Sequence, residues 1–207
     1  MCFNFCGIRF EFKFLFFAAV TLLLFIDRSG VALCAFLSSA AHELAHLAAL
    51  FSVRANVTAV TFELFGIRID RMDALLFWEE LAVLMAGPTV NLVLFLLCGS
   101  VNNSSVNLIA AVNLSIGLFN LLPVGALDGG KAANLIFVRM LGESKGKVAS
   151  LAISLAVVLP IIGVGLYLAV QPMRNVSLLV VGVFLVCDLA AGFWSGFKSK
   201  LSPRQLS

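Results

Sequence analysis

The amino-acid sequence predicts an all-α polytopic membrane protein, with about six transmembrane helices and a small cytoplasmic β-hairpin between the second and the third. Three observations support this fold class. Of the 207 residues, 61% are hydrophobic and 12% are charged, with a mean hydropathy of +1.08. The apolar residues fall into six stretches, and Lys and Arg lie between these stretches in an asymmetric pattern. Soluble domains of this size are less apolar, so the chain is assigned to the integral membrane proteins.

The six predicted spans leave no residues for a separate soluble domain, so residues 1–207 are expected to form one membrane domain. Crossing a bilayer requires roughly 20 mostly apolar residues. The stretches that meet or approach this length are 14–26, 31–53, 76–98, 107–123, 148–170 and 176–195. The first is short with basic flanks, as in a signal peptide, but residues 26–30 contain no small-residue cleavage pattern. It is therefore interpreted as a span.

The distribution of Lys and Arg predicts the orientation, because cytoplasmic loops retain positive charge during insertion. If the N-terminus is cytoplasmic, all but two of the 14 basic residues lie on the cytoplasmic side, the exceptions being Arg28 and Arg174. Six spans then place both termini in the cytoplasm. The net charge of +3 reflects this topology. Without a clustered basic surface that contains interleaved aromatic residues, nucleic-acid binding is not expected.

The five cysteines show neither a disulfide nor a strong metal-site pattern. They are odd in number, lack a Cys-x-x-Cys pair and mostly lie in apolar stretches. This is typical of packing residues. A metal or lipid bound by Cys2 and Cys6 is the less favoured alternative.

The second span contains the residues with the clearest chemistry. His42-Glu43-Leu44-Ala45-His46 has the His-Glu-x-x-His pattern, and its two histidines are the only ones in the chain. Positions four apart share a helix face, so both imidazoles can bind one Zn²⁺ while Glu43 acts on a water at the metal. Ionisable groups within a span cost roughly a few kcal/mol each and are usually functional. This cost disfavours a chance pattern or a purely structural polar cluster.

A third metal ligand is expected elsewhere, because hydrolytic zinc sites commonly use three protein ligands and keep one position for water. Asp128 follows the fourth span in a segment interrupted by Pro123 and several glycines. Irregular backbone at membrane depth is tolerated where it lines a polar cavity, and a carboxylate there can turn toward a metal. Asp128 is therefore preferred as the ligand over a helix-capping aspartate. Asp188, in the sixth span, is the alternative ligand.

These motifs resemble those of the site-2 protease family of intramembrane zinc metalloproteases. The segment His42–His46 is similar to the family's zinc-binding helix. Asn120–Pro123 followed by Leu127–Gly130 is similar to its second motif, in which the aspartate is the third ligand. Ala86–Asn91 resembles its Gly-Pro-x-x-Asn element. Where many members carry a second proline, this chain has Val124-Gly125-Ala126.

The resemblance covers roughly residues 31–135 and implies an intramembrane endopeptidase with one Zn²⁺ per chain. With neither a PDZ domain nor a C-terminal nucleotide-sensing domain expected, the chain looks most like the six-span branch of the stage IV sporulation proteases. The implied substrate is a membrane-tethered regulatory protein of a bacterial cell membrane. The lipid bilayer and a membrane regulatory or inhibitor protein are the other expected partners.

The resemblance also implies a role for each residue of the site. Zn²⁺ held by the three ligands would polarise the scissile carbonyl, and Glu43 would move a proton from water to the leaving amine. Asn120 would hydrogen-bond the substrate backbone or the oxyanion. Asn91 is assigned either a similar substrate-binding role or a hydrogen bond between helices.

Residues 57–69 predict the hairpin, because this segment is β-branched and aromatic with a glycine where a turn can form. An exposed strand edge could hold an unwound substrate segment by strand addition, although a hairpin that only covers the protein is an equal alternative.

Two other classes of function compete with proteolysis. The first is a non-catalytic metal-binding membrane protein or a metal transporter. The second is a pseudoprotease that acts as a binding module. Glu43 discriminates proteolysis from transport, because a base between the two histidines is needed for hydrolysis and not for transport. The intact set of motifs argues against a pseudoprotease.

Overall fold

The structure, a computed structural model, describes residues 2–5, 8–63, 66–101, 103–125, 127–171 and 176–201. The elements in chain order are β1 Cys2–Phe5, β2 Ile8–Phe12, α1 Phe14–Ile26, α2 Val31–Ser52, β3 Val57–Glu63, β4 Gly66–Arg71, α3 Phe77–Gly99, α4 Ser104–Asn120, α5 Asp128–Leu141, α6 Glu143–Val170 and α7 Ser177–Leu201. The elements group into two compact units, residues Met1–Asn120 and Leu121–Ser207.

Each of the six predicted spans corresponds to a helix, namely α1 to α4, α6 and α7. Among the described residues, α2, α3 and α6 are long and apolar enough to cross a membrane. α4 is a shorter apolar helix of 17 residues. The mostly helical fold with several apolar helices agrees with a polytopic membrane protein, and the number of six spans stays a prediction.

In the first unit, α2, α3 and α4 pack against one another along buried positions that repeat every three or four residues. These positions are Ser38, His42, His46 and Leu50 on α2, Val83, Gly87 and Asn91 on α3, and Ala110, Asn113 and Gly117 on α4. Small residues let the backbones approach, and polar residues hydrogen-bond across the contact. We call this set the polar seam. It places both histidines inside a helix bundle.

The first unit also contains a four-stranded sheet in the order β1-β2-β3-β4. β3 and β4 pair antiparallel and form the predicted hairpin, whereas β2 runs parallel to β3. The prediction of helices with a single hairpin was wrong for residues 2–12, which contribute two further strands. Their sequences alternate Phe or Ile with polar residues, but strands this short are stabilised by pairing with a neighbouring strand that sequence patterns do not reveal.

The sheet supports the end of the helix that carries the histidines. Leu50 of α2, Val57 and Val60 of β3 and Val83 of α3 form one buried apolar cluster. Leu50 lies one turn beyond His46, so this cluster fixes the C-terminal end of the histidine helix against the sheet. The hairpin and α3 are also joined by an ion pair, in which Arg71 Nη2 lies 2.7 Å from Glu80 Oε2.

The N-terminal end of α2 is capped by a carboxylate outside the helix. Asp27 accepts hydrogen bonds from the hydroxyl and the backbone N–H of Ser29, and from the backbone N–H of Ala32 at 2.6 Å. These hydrogen bonds, led by the one from the Ser29 hydroxyl, lower the pKa of Asp27 from its usual value of 3.8. A negative charge is favourable at this position because the first helical N–H groups carry a partial positive charge.

We expect Asp27→Asn to destabilise the protein at neutral pH but not in strong acid. The carboxylate of Asp27 has a lower pKa in the folded chain, so its stabilisation is complete above pH 3.8 and is lost as the pH falls through the folded pKa. Thermal unfolding of purified protein between pH 2.5 and 7 measures the difference. The two Tm values are expected to converge at the acid end of this range, as the pH falls through the folded pKa. A constant Tm difference over the whole range would contradict the capping role.

The second unit consists of α5, α6 and α7 with the segment that leads into them. α5 was not predicted, because Gly129 and Gly130 suggested broken helix, whereas both lie in its first turn. α5 and α6 touch at Gly146, where a Cβ would lie 2.4 Å from the Val138 Cα. α6 and α7 touch at Gly165, where a Cβ would lie 2.8 Å from the Leu179 backbone nitrogen. Backbone contacts of this kind are typical of membrane helices.

Candidate metal centre

The two histidines of α2 present their ring nitrogens to each other. His42 and His46 are four residues apart on one helix face, and both are buried. Their Nε2 atoms lie 3.2 Å apart. The helical spacing read from the sequence therefore brings two potential metal ligands to one point.

The other ring nitrogen of each histidine faces an oxygen. Nδ1 of His42 lies 2.6 Å from Oδ1 of Asn91, and Nδ1 of His46 lies 2.7 Å from the backbone oxygen of Val83. Amide and carbonyl oxygens only accept hydrogen bonds, so each Nδ1 carries the proton and each Nε2 presents a lone pair. Metal-binding histidines commonly have such a partner on the second nitrogen.

This arrangement fits a metal ion. Two lone pairs that face each other at 3.2 Å repel, and a cation that both nitrogens bind removes the repulsion. Gly87 of α3 leaves room beside them, because a Cβ there would lie 2.4 Å from the His46 Nε2 and 2.6 Å from the His42 Nε2. The backbone of α3 thus forms a wall of the space in front of the two nitrogens.

Glu43 lies beside His42 on α2 and is half-buried. It is one residue along the helix, so it is about 100° around the axis from the face that holds the two histidines. A carboxylate at this position lies near the two imidazoles but does not share their helix face. This is the arrangement expected of a general base.

Asp128 is the first residue of α5 in the second unit and is buried. Its Oδ1 lies 3.5 Å from the Lys131 Nζ, at the outer limit of a hydrogen bond. Among the described residues, His42, His46 and Asp128 form the candidate metal-binding group, each with one ligand atom to offer.

The backbone before Asp128 is packed against the first turn of α5. A Cβ at Gly129 would lie 2.2 Å from the backbone oxygen of Leu121, and a Cβ at Gly130 would lie 2.0 Å from that of Val124. Neither position can carry a side chain without moving the backbone. On the other side, the Ser154 hydroxyl of α6 lies 2.9 Å from the Pro123 oxygen, which it can donate to. These contacts hold the segment from which Asp128 projects.

The other predicted site residues have different surroundings. Asn91 is fully buried within the polar seam. The Asn120 amide nitrogen donates to the backbone oxygen of Ile116 at 3.0 Å, one turn earlier in α4. The side chain of Asp188 and the residue Cys6 lie outside the described part of the chain. The substrate-binding roles of both asparagines stay predictions.

The sequence analysis missed two residues beside the metal-binding group, Ser38 and Asn113. Both are buried, and both belong to the hydrogen-bond network around Asn91. The available signal was the position of each residue. Ser38 is one helical turn before His42, and Asn113 is an amide in the middle of an apolar helix, where a polar group needs a partner.

Comparison with known proteins gives a consistent result. Residues 98–161 match the sequence profile of peptidase family M50. A protein of Synechocystis sp. that is provisionally named a zinc metalloprotease is 34% identical over 126 residues, or 56% of this chain. The site-2 protease from Methanocaldococcus jannaschii has the same fold, with a TM-score of 0.63 at 21% identity over 92% of this chain and 94% of that one. The profile match and the relative are those of metallopeptidases, and the fold is that of a site-2 protease.

The site-2 protease resemblance drawn from the motifs agrees with these three matches. The chain spans about a third of the length of the Synechocystis relative, 33% by residues. None of the matches distinguishes the sporulation-type branch, so that assignment stays a prediction. Site-2 proteases are multi-pass membrane proteins, in agreement with the three helices of spanning length found within the described part of this chain.

Proposed function

We propose that the chain is a zinc-dependent intramembrane endopeptidase that hydrolyses peptide bonds of membrane-tethered proteins. The observation that carries this proposal is the pair of Nε2 lone pairs, from His42 and His46, that meet 3.2 Å apart inside a helix bundle with Glu43 on the same helical turn. The match of residues 98–161 to peptidase family M50 and the name of the Synechocystis relative support zinc as the metal.

The metal would be held by His42 and His46, with Asp128 as the third ligand. When bound, Zn²⁺ supplies Lewis acidity that polarises a carbonyl and makes water easier to deprotonate. Two neutral imidazoles and one carboxylate are a common ligand set for hydrolytic zinc. The support for Asp128 is its burial, its place in the resembling motif and the tightly packed backbone that presents it.

Glu43 performs the proton transfers in this proposal. It accepts the proton of the attacking water and donates it to the amine that leaves when the peptide bond breaks, so the carboxylate is regenerated at the end of the cycle. Asn91 accepts a hydrogen bond from the His42 Nδ1 through its Oδ1, and so orients that ligand. Asn120, at the C-terminal end of α4, is proposed to hydrogen-bond the substrate backbone or the oxyanion.

The topology in this proposal has six spans, with both termini and the β3–β4 hairpin in the cytoplasm of a bacterial cell. The asymmetry of Lys and Arg supports this orientation. β4 lies at one edge of the sheet, and strand addition there is the proposed means of holding an unwound substrate. A regulatory protein, including a sporulation factor, is the proposed substrate class, and a membrane inhibitor protein is a proposed partner.

Replacement of Glu43 by Gln tests the proposed function directly. We expect Glu43→Gln to bind zinc like the wild type and to cleave a co-expressed single-span reporter about 10²- to 10⁴-fold more slowly, the usual contribution of a general base. Asp128→Asn is expected to lose zinc. Glu143→Gln, at an exposed position of α6, is the matched control and should retain activity.

The same experiment separates the protease from its rivals. Cleavage by Glu43→Gln at the wild-type rate would refute the proton-transfer role. A metal transporter is indicated if Glu43→Gln and the wild type carry zinc across vesicle membranes equally and neither cleaves the reporter or any co-expressed membrane protein. The binding-module alternative predicts that the wild type and Glu43→Gln are equally inactive with zinc bound.

A further inference from the structure

Two buried amides connect the three helices of the polar seam behind the metal-binding group. Asn91 of α3 is 0% exposed and Asn113 of α4 is 1% exposed. Asn113 has no contact with the metal ligands in the described hydrogen bonds, but it contacts Asn91, and Asn91 contacts His42. We propose that Asn113 is a positioning residue that, through Asn91, fixes the tautomer of His42 required for metal binding. This inference rests on the proposed function.

The orientation of the Asn113 amide is fixed by a backbone carbonyl. Its Nδ2 lies 2.9 Å from the backbone oxygen of Ile109 and 2.9 Å from the Ser38 Oγ. The Ile109 oxygen can only accept a hydrogen bond, so the NH₂ end of Asn113 must face it. The Asn113 Oδ1 is therefore left as an acceptor for Asn91.

The orientation of the Asn91 amide follows from the same rule. Its Nδ2 donates to the Asn113 Oδ1 at 2.8 Å and to the backbone oxygen of Ser38 at 3.1 Å. With both amide hydrogens used, the Asn91 Oδ1 faces His42 and must accept the hydrogen of its Nδ1. His42 is thereby held with a proton on Nδ1 and a lone pair on Nε2. Two acceptor-only carbonyls thus determine which nitrogen of His42 binds metal.

Asn113 is the part of this chain of hydrogen bonds that is furthest from the metal. Within the described residues, every buried side-chain nitrogen and oxygen has a hydrogen-bond partner. Removal of Asn113 would leave one N–H of Asn91 without an acceptor in an apolar bundle. The Asn91 amide would then be oriented by the Ser38 backbone oxygen alone, so a rotated amide that presents its NH₂ to His42 becomes more populated, and this favours a proton on Nε2 and weakens metal binding there. His46 is held by the backbone of Val83 and should be unaffected.

Zinc affinity of the purified protein, measured by competition with a chromophoric chelator, tests the inference. We expect Asn113→Leu to bind zinc about 10- to 100-fold more weakly, the usual effect of removing a partner behind a metal ligand. Asn107→Leu is the matched control on the same helix, because Asn107 is exposed, and it should retain wild-type affinity. Equal affinities of Asn113→Leu and the wild type would overturn the inference.

A double-mutant cycle with Asn91→Leu distinguishes positioning from a general packing defect. If Asn113 acts through Asn91, then Asn113→Leu has little further effect once Asn91→Leu is present. Losses that multiply in the double variant would show that Asn113 acts independently. Asn113→Asp keeps an oxygen that accepts from Asn91, so it should bind zinc more tightly than Asn113→Leu, and equal losses would contradict the proposed contact.

The readout also separates this inference from the proposed function. If the wild type binds no zinc, the proposed metal centre is wrong, and both the proposed function and the positioning role of Asn113 fail. If the wild type binds zinc and the Asn113 variants match it, only the positioning role fails. Should Asn113→Leu not give folded protein, Asn113→Ala replaces it in the same cycle with the same expected outcome.

Discussion

Gly87→Ala should abolish zinc binding and proteolysis while leaving the protein folded. The added Cβ would lie 2.4 Å from the His46 Nε2 and 2.6 Å from the His42 Nε2, within the space assigned to the proposed metal. The imidazoles cannot easily retreat, because each Nδ1 is held by a buried hydrogen bond. A displacement of about 1 Å at a catalytic site costs on the order of 100-fold in rate, so at least this loss is expected.

The measurements for Gly87→Ala are zinc content, reporter cleavage and thermal unfolding of the purified protein. Alanine is a better helix former than glycine by about 1 kcal/mol, so an unfolded helix is not the expected cause of the loss. Gly99→Ala is the control in the same helix, because its Cβ would meet nothing closer than 3.9 Å. If Gly87→Ala retains zinc and activity, the metal is not bound in front of the two Nε2 atoms.

Gly130→Ala, a substitution in the second unit, should inactivate the protein. Its Cβ would lie 2.0 Å from the backbone oxygen of Val124, and a backbone atom cannot swing aside as the end of a side chain can. The segment that carries Asp128 must shift, so a loss of at least about 100-fold in cleavage rate is expected. Overpacking of this kind also costs about 1–3 kcal/mol of stability.

The Gly130→Ala experiment compares cleavage rate, zinc content and Tm with those of Gly163→Ala. A Cβ at Gly163 of α6 meets nothing within 4 Å, so this control should behave as the wild type. A Gly130→Ala protein with a lowered Tm but wild-type activity would mean that the position of Asp128 is not important for the reaction.

The sequence predicted the histidine helix α2 and most other helices because their signals are local. The His-Glu-x-x-His spacing places His42 and His46 on one helix face whatever surrounds the helix. Long apolar stretches can be recognised as helices of membrane-spanning length from composition alone. The hairpin of residues 57–69 was found for the same reason, since β-branched residues flank a glycine.

The remaining features depend on contacts between elements distant in the chain. In residues 2–12, β1 pairs with β2, and β2 pairs with the distant strand β3, where Phe10 lies opposite Val60. Asn113 is one amide among several in its helix, and only its contacts with α2 and α3 distinguish it from Asn107. α5 was hidden because glycines at the start of a helix usually indicate a loop, whereas here they allow backbone contact.

The close backbone contacts have a consequence for the pattern of tolerated variation. Large apolar residues such as Leu96 and Phe25 are exposed, so in a bilayer they can be exchanged for other apolar residues at small cost. Gly87, Gly130 and Gly146 leave no volume for even one methyl group. In a complete substitution scan, these small residues would therefore rank beside the proposed metal ligands as the least replaceable, and the large exposed apolar residues would rank among the most replaceable.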